Sequence, residues 1–399
     1  LRSFAFASYA LYFLSGLVIT TIGSVLPQLL AHYHVSYTIG GQLVFAGSVG
    51  FIIGVPISSF LINWFAEKNV LSMAAAIIAF AQFSIFFLPP IGLIFFLTFL
   101  NSIGVAMLET VVATLMMEVF IGRRAVVMSY LEVSFGLGAL LMPIISSIFI
   151  SQGIWRSSFI VTGCFAAVLV IVWQTISYSK DKIDLSETLD AGGLPPQFLS
   201  KGRKMLVLSL FMMMILMYTG IEGSLNNFLA SIFIAYLDTV PYYASLSIGF
   251  FWAAMVVGRV ATGWIIRKVT YNLFLFWGMA GTTLGLICFI LFKNAAVGYG
   301  FVIIMGLTMS GVYSITMVYA NHMFPGLARL VTSLITGFAG LGGAIFPALI
   351  GATMDRSGTA TALWYVVAFA GLYLTALAAI YIFQLNMRKS TNVIDKHCL

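Results

Sequence analysis

The charged residues that fall well inside the long apolar runs of this 399-residue chain are Glu109, Glu118, Glu132, Glu222 and Arg259. Water-free surroundings favour the neutral form of a carboxyl group, so a carboxyl that is alternately buried and wetted can load and unload a proton. Glu109 and Glu222 lie deepest. At 1.5 Å per residue, Glu109 is roughly 16 Å from the chain break at Phe120 and Glu222 roughly 25 Å from the one at residue 205. Both are expected to couple proton movement to a second event. Glu118 falls on the opposite helix face from Glu109, which forbids a carboxylate pair; beside Arg123 and Arg124 it reads as an interfacial ion pair. Glu132 and Arg259 lie a turn or two from their helix ends, where long side chains reach toward the interface. They are expected to pair with each other as a gate.

Polar side chains at spacings of three and four share a helix face. Thr20 or Thr21 with Ser24 and Gln28, then Thr219 with Glu222 and Asn226, then Ser310, Tyr313 or Ser314 and Asn321, form such sets. Many small polar residues in membrane helices serve packing. The candidates to touch a substrate are Ser24, Gln28, Asn226, Asn227, Trp252 and Tyr313. Trp252 and Tyr313 offer aromatic faces on which a ring-shaped ligand can stack, and the amides offer paired donors and acceptors.

The elements that position these residues must be membrane helices. The chain is 61% hydrophobic and 8% charged, with a mean hydropathy of +1.07, against about 25% charge in an average soluble chain. Residues 3–66 and 69–108 contain no Asp, Glu, Lys or Arg. Each run fits two spans of roughly 20 residues. Twelve spans are expected, at about 4–31, 38–63, 71–89, 92–120, 126–150, 157–178, 205–236, 243–266, 273–293, 296–324, 330–354 and 360–386. The long uncharged runs lack the roughly ten-residue alternation of a membrane barrel. The first run is too long for a signal-peptide core and is expected to stay as a span.

Fifteen of the nineteen basic residues fall in the tails and even-numbered loops, three (Arg156, Lys293 and Arg356) in the odd-numbered loops, and Arg259 within a span. By the positive-inside rule both termini are expected in the cytoplasm of a cell-membrane protein. That distribution also accounts for the net charge of +7 without a nucleic-acid partner.

Ser179–Lys204 carries nine of the 31 charges together with Gly192-Gly193 and Pro195-Pro196, the composition of a solvated tether. The expected organisation is a six-helix bundle over 1–178, a cytoplasmic linker over 179–204, a second bundle over 205–387 and a tail over 388–399. The halves match at an offset of 204: Gly136, Gly138 and Pro143 recur as Gly340, Gly342 and Pro347, Gly54 as Gly258 and Gly16 as Gly220. Parallel six-helix repeats are a transporter architecture with the substrate site between the halves near mid-membrane.

Other chemistry is weakly signalled. His32 and His34 have no cysteine or carboxylate beside them and read as a solvated loop, so no metal site is expected; Cys164, Cys288 and Cys398 have no redox or ligand spacing. Gly50 and Gly54 form a close-packing pair. With no P-loop lysine motif and no hydrolase constellation, neither an enzyme nor ATP drive is expected. No cofactor beyond a proton gradient is implied.

On this topology and repeat, the chain resembles the major facilitator superfamily over essentially its whole length. Its hairpin signature is altered, with Asn63 where an Asp is usual and Ala66 where a Gly is usual. Within the superfamily it is similar to the fucose:proton symporter family and its bacterial glucose/mannose:proton symporter branch. The carrying residues are Leu108-Glu109-Thr110, Leu131-Glu132-Val133 with Phe135 to Leu140, Tyr218 to Glu222 followed by Asn227-Phe228-Leu229, and Phe250-Phe251-Trp252 with Gly258-Arg259. The resemblance implies sugar import driven by protons, and a proton-handling role at Glu109; a monomeric carrier in the lipid bilayer is expected. Some sugar symporters of that family carry an acid in the first span, which here has none; Glu222, which the repeat sets opposite Val18, is expected to replace it. The alternative is proton-driven efflux of amphipathic drugs, suggested by 19 Met and 35 Phe. Against it, Phe135 to Pro143 lacks the spacing of the G-x-x-x-G-P-x-x-G-G pattern typical of drug antiporters.

Overall fold

Without water to bond exposed N–H and C=O groups, an apolar segment must satisfy its backbone internally, which a helix does. The computed structural model describes residues 2–120, 124–176, 201–324 and 327–397, and among these every regular element is helical. The helices are α1 (Arg2–Tyr33), α2 (Tyr37–Ile62), α3 (Glu67–Phe86), α4 (Ile91–Val119), α5 (Arg124–Ser151), α6 (Ser157–Thr175), α7 (Lys201–Leu237), α8 (Pro241–Ile265), α9 (Tyr271–Phe292), α10 (Ala295–Met309), α11 (Val312–Met323), α12 (Ala328–Ser357) and α13 (Thr359–His397). They make twelve candidate membrane spans, with α10 and α11 together forming the tenth.

Three features differ from the expected spans. The tenth is divided, because Ser310 is extended and Gly311 takes φ +76°, a left-handed conformation that glycine adopts without steric cost. The seventh begins at Lys201, so Lys201 to Lys204 extend the helix instead of belonging to the tether. The last helix runs on through the expected tail to His397. Lys and Arg are good helix formers, which lets both ends continue past the apolar run. Most of the expected tether, residues 179–200, lies outside the described residues.

The two halves share one packing plan. Gly16 of α1 and Gly138 of α5 bring those helices backbone to backbone: Gly16 faces Phe135 and Ala139, while Gly138 faces Phe13 and Leu17. In the second half α7 and α12 pack likewise, with Gly342 against Leu216 and Thr219. Gly54 of α2 meets Ile103 and Ala106 of α4, and 204 residues later Gly258 of α8 meets Leu307 and Ser310. The repeat in sequence is thus a repeat in contacts. Between the halves, α2 packs on α12, α5 on α8, and α1 on α7 and α8, whereas α4 and α11 pack chiefly within their own halves.

Candidate functional site

α4 positions Glu109 and α1 supplies its partners. The Ser15 hydroxyl donates to Glu109 Oε1 at 2.6 Å, and the Tyr12 hydroxyl donates to the Glu109 carbonyl at 3.2 Å. One charge-capable group is therefore held by neutral donors from a neighbouring helix. A carboxylate accepts such bonds and a carboxylic acid can both accept and donate, so the arrangement tolerates either state.

Glu222 lies near the middle of the long α7. Tyr218, one turn earlier, places its hydroxyl 3.4 Å from Glu222 Oε1 and 3.2 Å from the carbonyl of Met309, at the break between α10 and α11. Other carbonyls at this break also meet hydroxyls: Ser310 Oγ donates to Leu307 O at 2.6 Å, and Thr262 Oγ1 approaches Ser310 O at 3.5 Å. Buried backbone carbonyls require partners, and the surrounding side chains provide them.

A chain of polar contacts crosses from one half to the other and back. Arg259 of α8 bonds Glu132 Oε2 of α5 at 3.0 Å, and its guanidinium stands over the Trp252 ring at 5.6 Å. The Trp252 indole N–H donates to Asn226 Oδ1 at 2.8 Å, and Asn226 Nδ2 donates to the Ile19 carbonyl of α1 at 3.1 Å. Phe135 of α5 packs edge-on against Trp252, centroids 5.5 Å apart. Tyr313 of α11 lies 6.3 Å from the Tyr218 ring.

The structure thus gathers Trp252, Asn226, Tyr313, Glu222, Glu132 and Arg259 around the junction of the halves. Both Oδ1 and Nδ2 of Asn226 are engaged within the protein, and Asn227 Nδ2 donates to Gly223 O in its own helix. Ser24, like Thr20 and Thr21, is buried and donates back into α1. Gln28 lies apart from this group, lining a cavity between the halves near the end of α1 with Tyr37 and Asp355, and its Oε1 has no hydrogen-bond partner. Sequence reasoning missed Ser15, Tyr12 and Tyr218. Tyr218 stands four residues before Glu222, a spacing that could have found it; nothing local marks Ser15, which is brought to Glu109 across 94 residues.

The Major Facilitator Superfamily model matches residues 9–347. The glucose/mannose transporter GlcP of Bacillus subtilis (strain 168) is 29% identical over 362 residues, covering 89% of each chain. In fold the chain is similar to a D-xylose-proton symporter, with a TM-score of 0.78, 14% identity and coverage of 94% and 96% of the two chains. A bacterial homolog of the human lysosomal transporter Spinster, inward-facing and unoccupied, gives 0.77 at 12% identity, covering 94% and 96%. The chain belongs to the Major Facilitator Superfamily.

Proposed function

We propose that this superfamily member is a proton-coupled symporter that imports a hexose-like sugar across the cell membrane by alternating access. It acts as a monomer with both termini in the cytoplasm. The observation that carries the proposal is the placement of two intramembrane carboxyls, Glu109 and Glu222, in opposite halves and each bonded by a hydroxyl from Ser15 or Tyr218. The kinship with a glucose/mannose transporter supports the substrate class.

The cycle follows from the contacts. Glu109 takes a proton when wetted from outside, and the neutral acid crosses with the rocking halves at lower electrostatic cost than its anion. Arg259 is paired with Glu132 across the halves, and breaking that pair would free its charge to attract the Glu222 carboxylate. Trp252 and Tyr313 would offer ring faces to the pyranose once the halves part; the Asn226 and Asn227 amides reach its hydroxyls only by releasing their bonds to Ile19, Trp252 and Gly223, Ser24 takes part only if the first span turns, and Gln28 meets the sugar at the cavity near the end of α1. The Glu132–Arg259 pair gates the cytoplasmic path. One proton moving through 100 mV supplies about 2.3 kcal/mol, enough for roughly 50-fold accumulation at 1.36 kcal/mol per decade.

Counterflow in proteoliposomes tests the substrate class, with labelled hexoses beside cationic dyes. Hexose counterflow is expected. Dye movement without hexose movement would replace the proposal by efflux.

A further inference from the structure

We infer that Asp355 is a latch that holds the halves together at the face opposite the termini, capping a helix that belongs to the other half. The inference rests on the alternating-access reading above and is independent of which substrate or ion moves. The first N–H groups of any helix lack intrahelical partners and need an acceptor. At the start of α2 the N-cap residue, Ser36, is extended but makes no side-chain cap. The acceptor comes from 318 residues away in sequence: Asp355 Oδ1 accepts from Tyr37 N at 3.1 Å, and Oδ2 accepts from Thr38 N at 2.6 Å and from the Thr38 hydroxyl at 2.5 Å. A carboxylate at a helix N-terminus also gains from the helix dipole.

Position makes this cap a gate. α2 and α12 form one of the main contacts between the halves. Next to the latch, Gly351 of α12 faces the Tyr37 backbone and Gly41 of α2 faces Pro347 and Ala348; deeper, Ser48 Oγ bonds the Gly343 carbonyl at 3.1 Å. Separation of the halves at this face must pull Asp355 off α2 before the deeper contacts part. The adjoining cavity of about 480 Å³, lined by Gln28, Tyr37 and Asp355 among others, lies where solvent or substrate would enter. α2 therefore carries its cap only while this face is closed.

The test reads the closure directly. Spin labels at Gln152 and Ala296, exposed positions in opposite halves away from the latch, report the distance across this face in the full-length protein in liposomes, without sugar or gradient. Losing an N-cap shifts an equilibrium roughly 2- to 30-fold, so Asp355→Ala should raise the ratio of long to short distances by that factor. Asp355→Asn, which keeps one acceptor, should fall between. Ser36→Asp leaves Asp355 in place but gives α2 its own cap and sets two carboxylates against each other, so it should also open this face. An unchanged distance distribution in Asp355→Ala, or a closed Ser36→Asp, would overturn the latch. Because nothing is transported in the measurement, failure of the sugar:proton reading leaves the result unaffected.

Discussion

The fourth span of the first half is one unbroken helix, whereas its counterpart in the second half is divided at Ser310 and Gly311. The neighbouring helices differ to match. At the 204-residue offset, Leu14 of α1 stands where Tyr218 stands in α7, Val18 where Glu222 stands, and Glu109 of α4 where Tyr313 of α11 stands. The unbroken helix frees no backbone and sits against an apolar Leu14; the broken one frees carbonyls, and Tyr218 donates to one of them. The first half thus holds its carboxyl on a continuous rod with a hydroxyl partner, Ser15. The second holds its carboxyl beside a bend, with the Tyr218 hydroxyl near both. Duplication supplied one packing plan, and substitution at a few matched positions made the halves unequal in their chemistry.

The largest expected effect concerns the helix seams. Gly16 faces the α5 backbone, which cannot yield, while Gly220 faces the Phe346 side chain, which can. Gly16→Ala should cost about 3 kcal/mol, the upper end for overpacking, and Gly220→Ala about 1 kcal/mol. Thermal unfolding in detergent reads both, and equal losses would mean that the seams are equally rigid.

Next is the bend. Tyr218→Phe strands the Met309 carbonyl, and a buried polar group without a partner costs about 1–3 kcal/mol. Amide exchange across residues 306–314 should accelerate, with that of the matching stretch in α4 unchanged. Equal exchange in both would show that Tyr218 does not hold the break.

The smallest effect concerns the cross-half ion pair. Side-chain exposures of 23% for Arg259 and 52% for Glu132 put its worth at about 1 kcal/mol or less. Glu132→Arg and Arg259→Glu should each slow transport, and the double reversal should recover more than either alone. A double reversal no better than the singles would remove Glu132 as the functional partner.

Hydropathy and charge placement made the twelve spans legible, because lipid leaves an apolar segment few choices. The repeat was legible for a related reason: a Cβ would collide at the close helix approaches of Gly54 and Gly258 and of Gly138 and Gly342, and each of these pairs stands 204 residues apart. The pairing of Glu132 with Arg259 could be read from their similar depth in the membrane. The break at Ser310 and Gly311 could not, since glycines within membrane helices commonly serve packing, and only the donors gathered from α7 and α8 mark this one as a bend. The bond from Ser15 to Glu109 and the reach of Asp355 to α2 depend on tertiary contact. No local pattern encodes either.

The account turns on Glu109 as a proton carrier. Its most direct measurement is Glu109→Gln in proteoliposomes, comparing sugar accumulation under an imposed proton gradient with exchange of labelled for unlabelled sugar at equilibrium. Glutamine preserves size and an acceptor for Ser15 but cannot release a proton, so accumulation should vanish while exchange continues. Accumulation at the level of the unchanged protein would contradict the assignment.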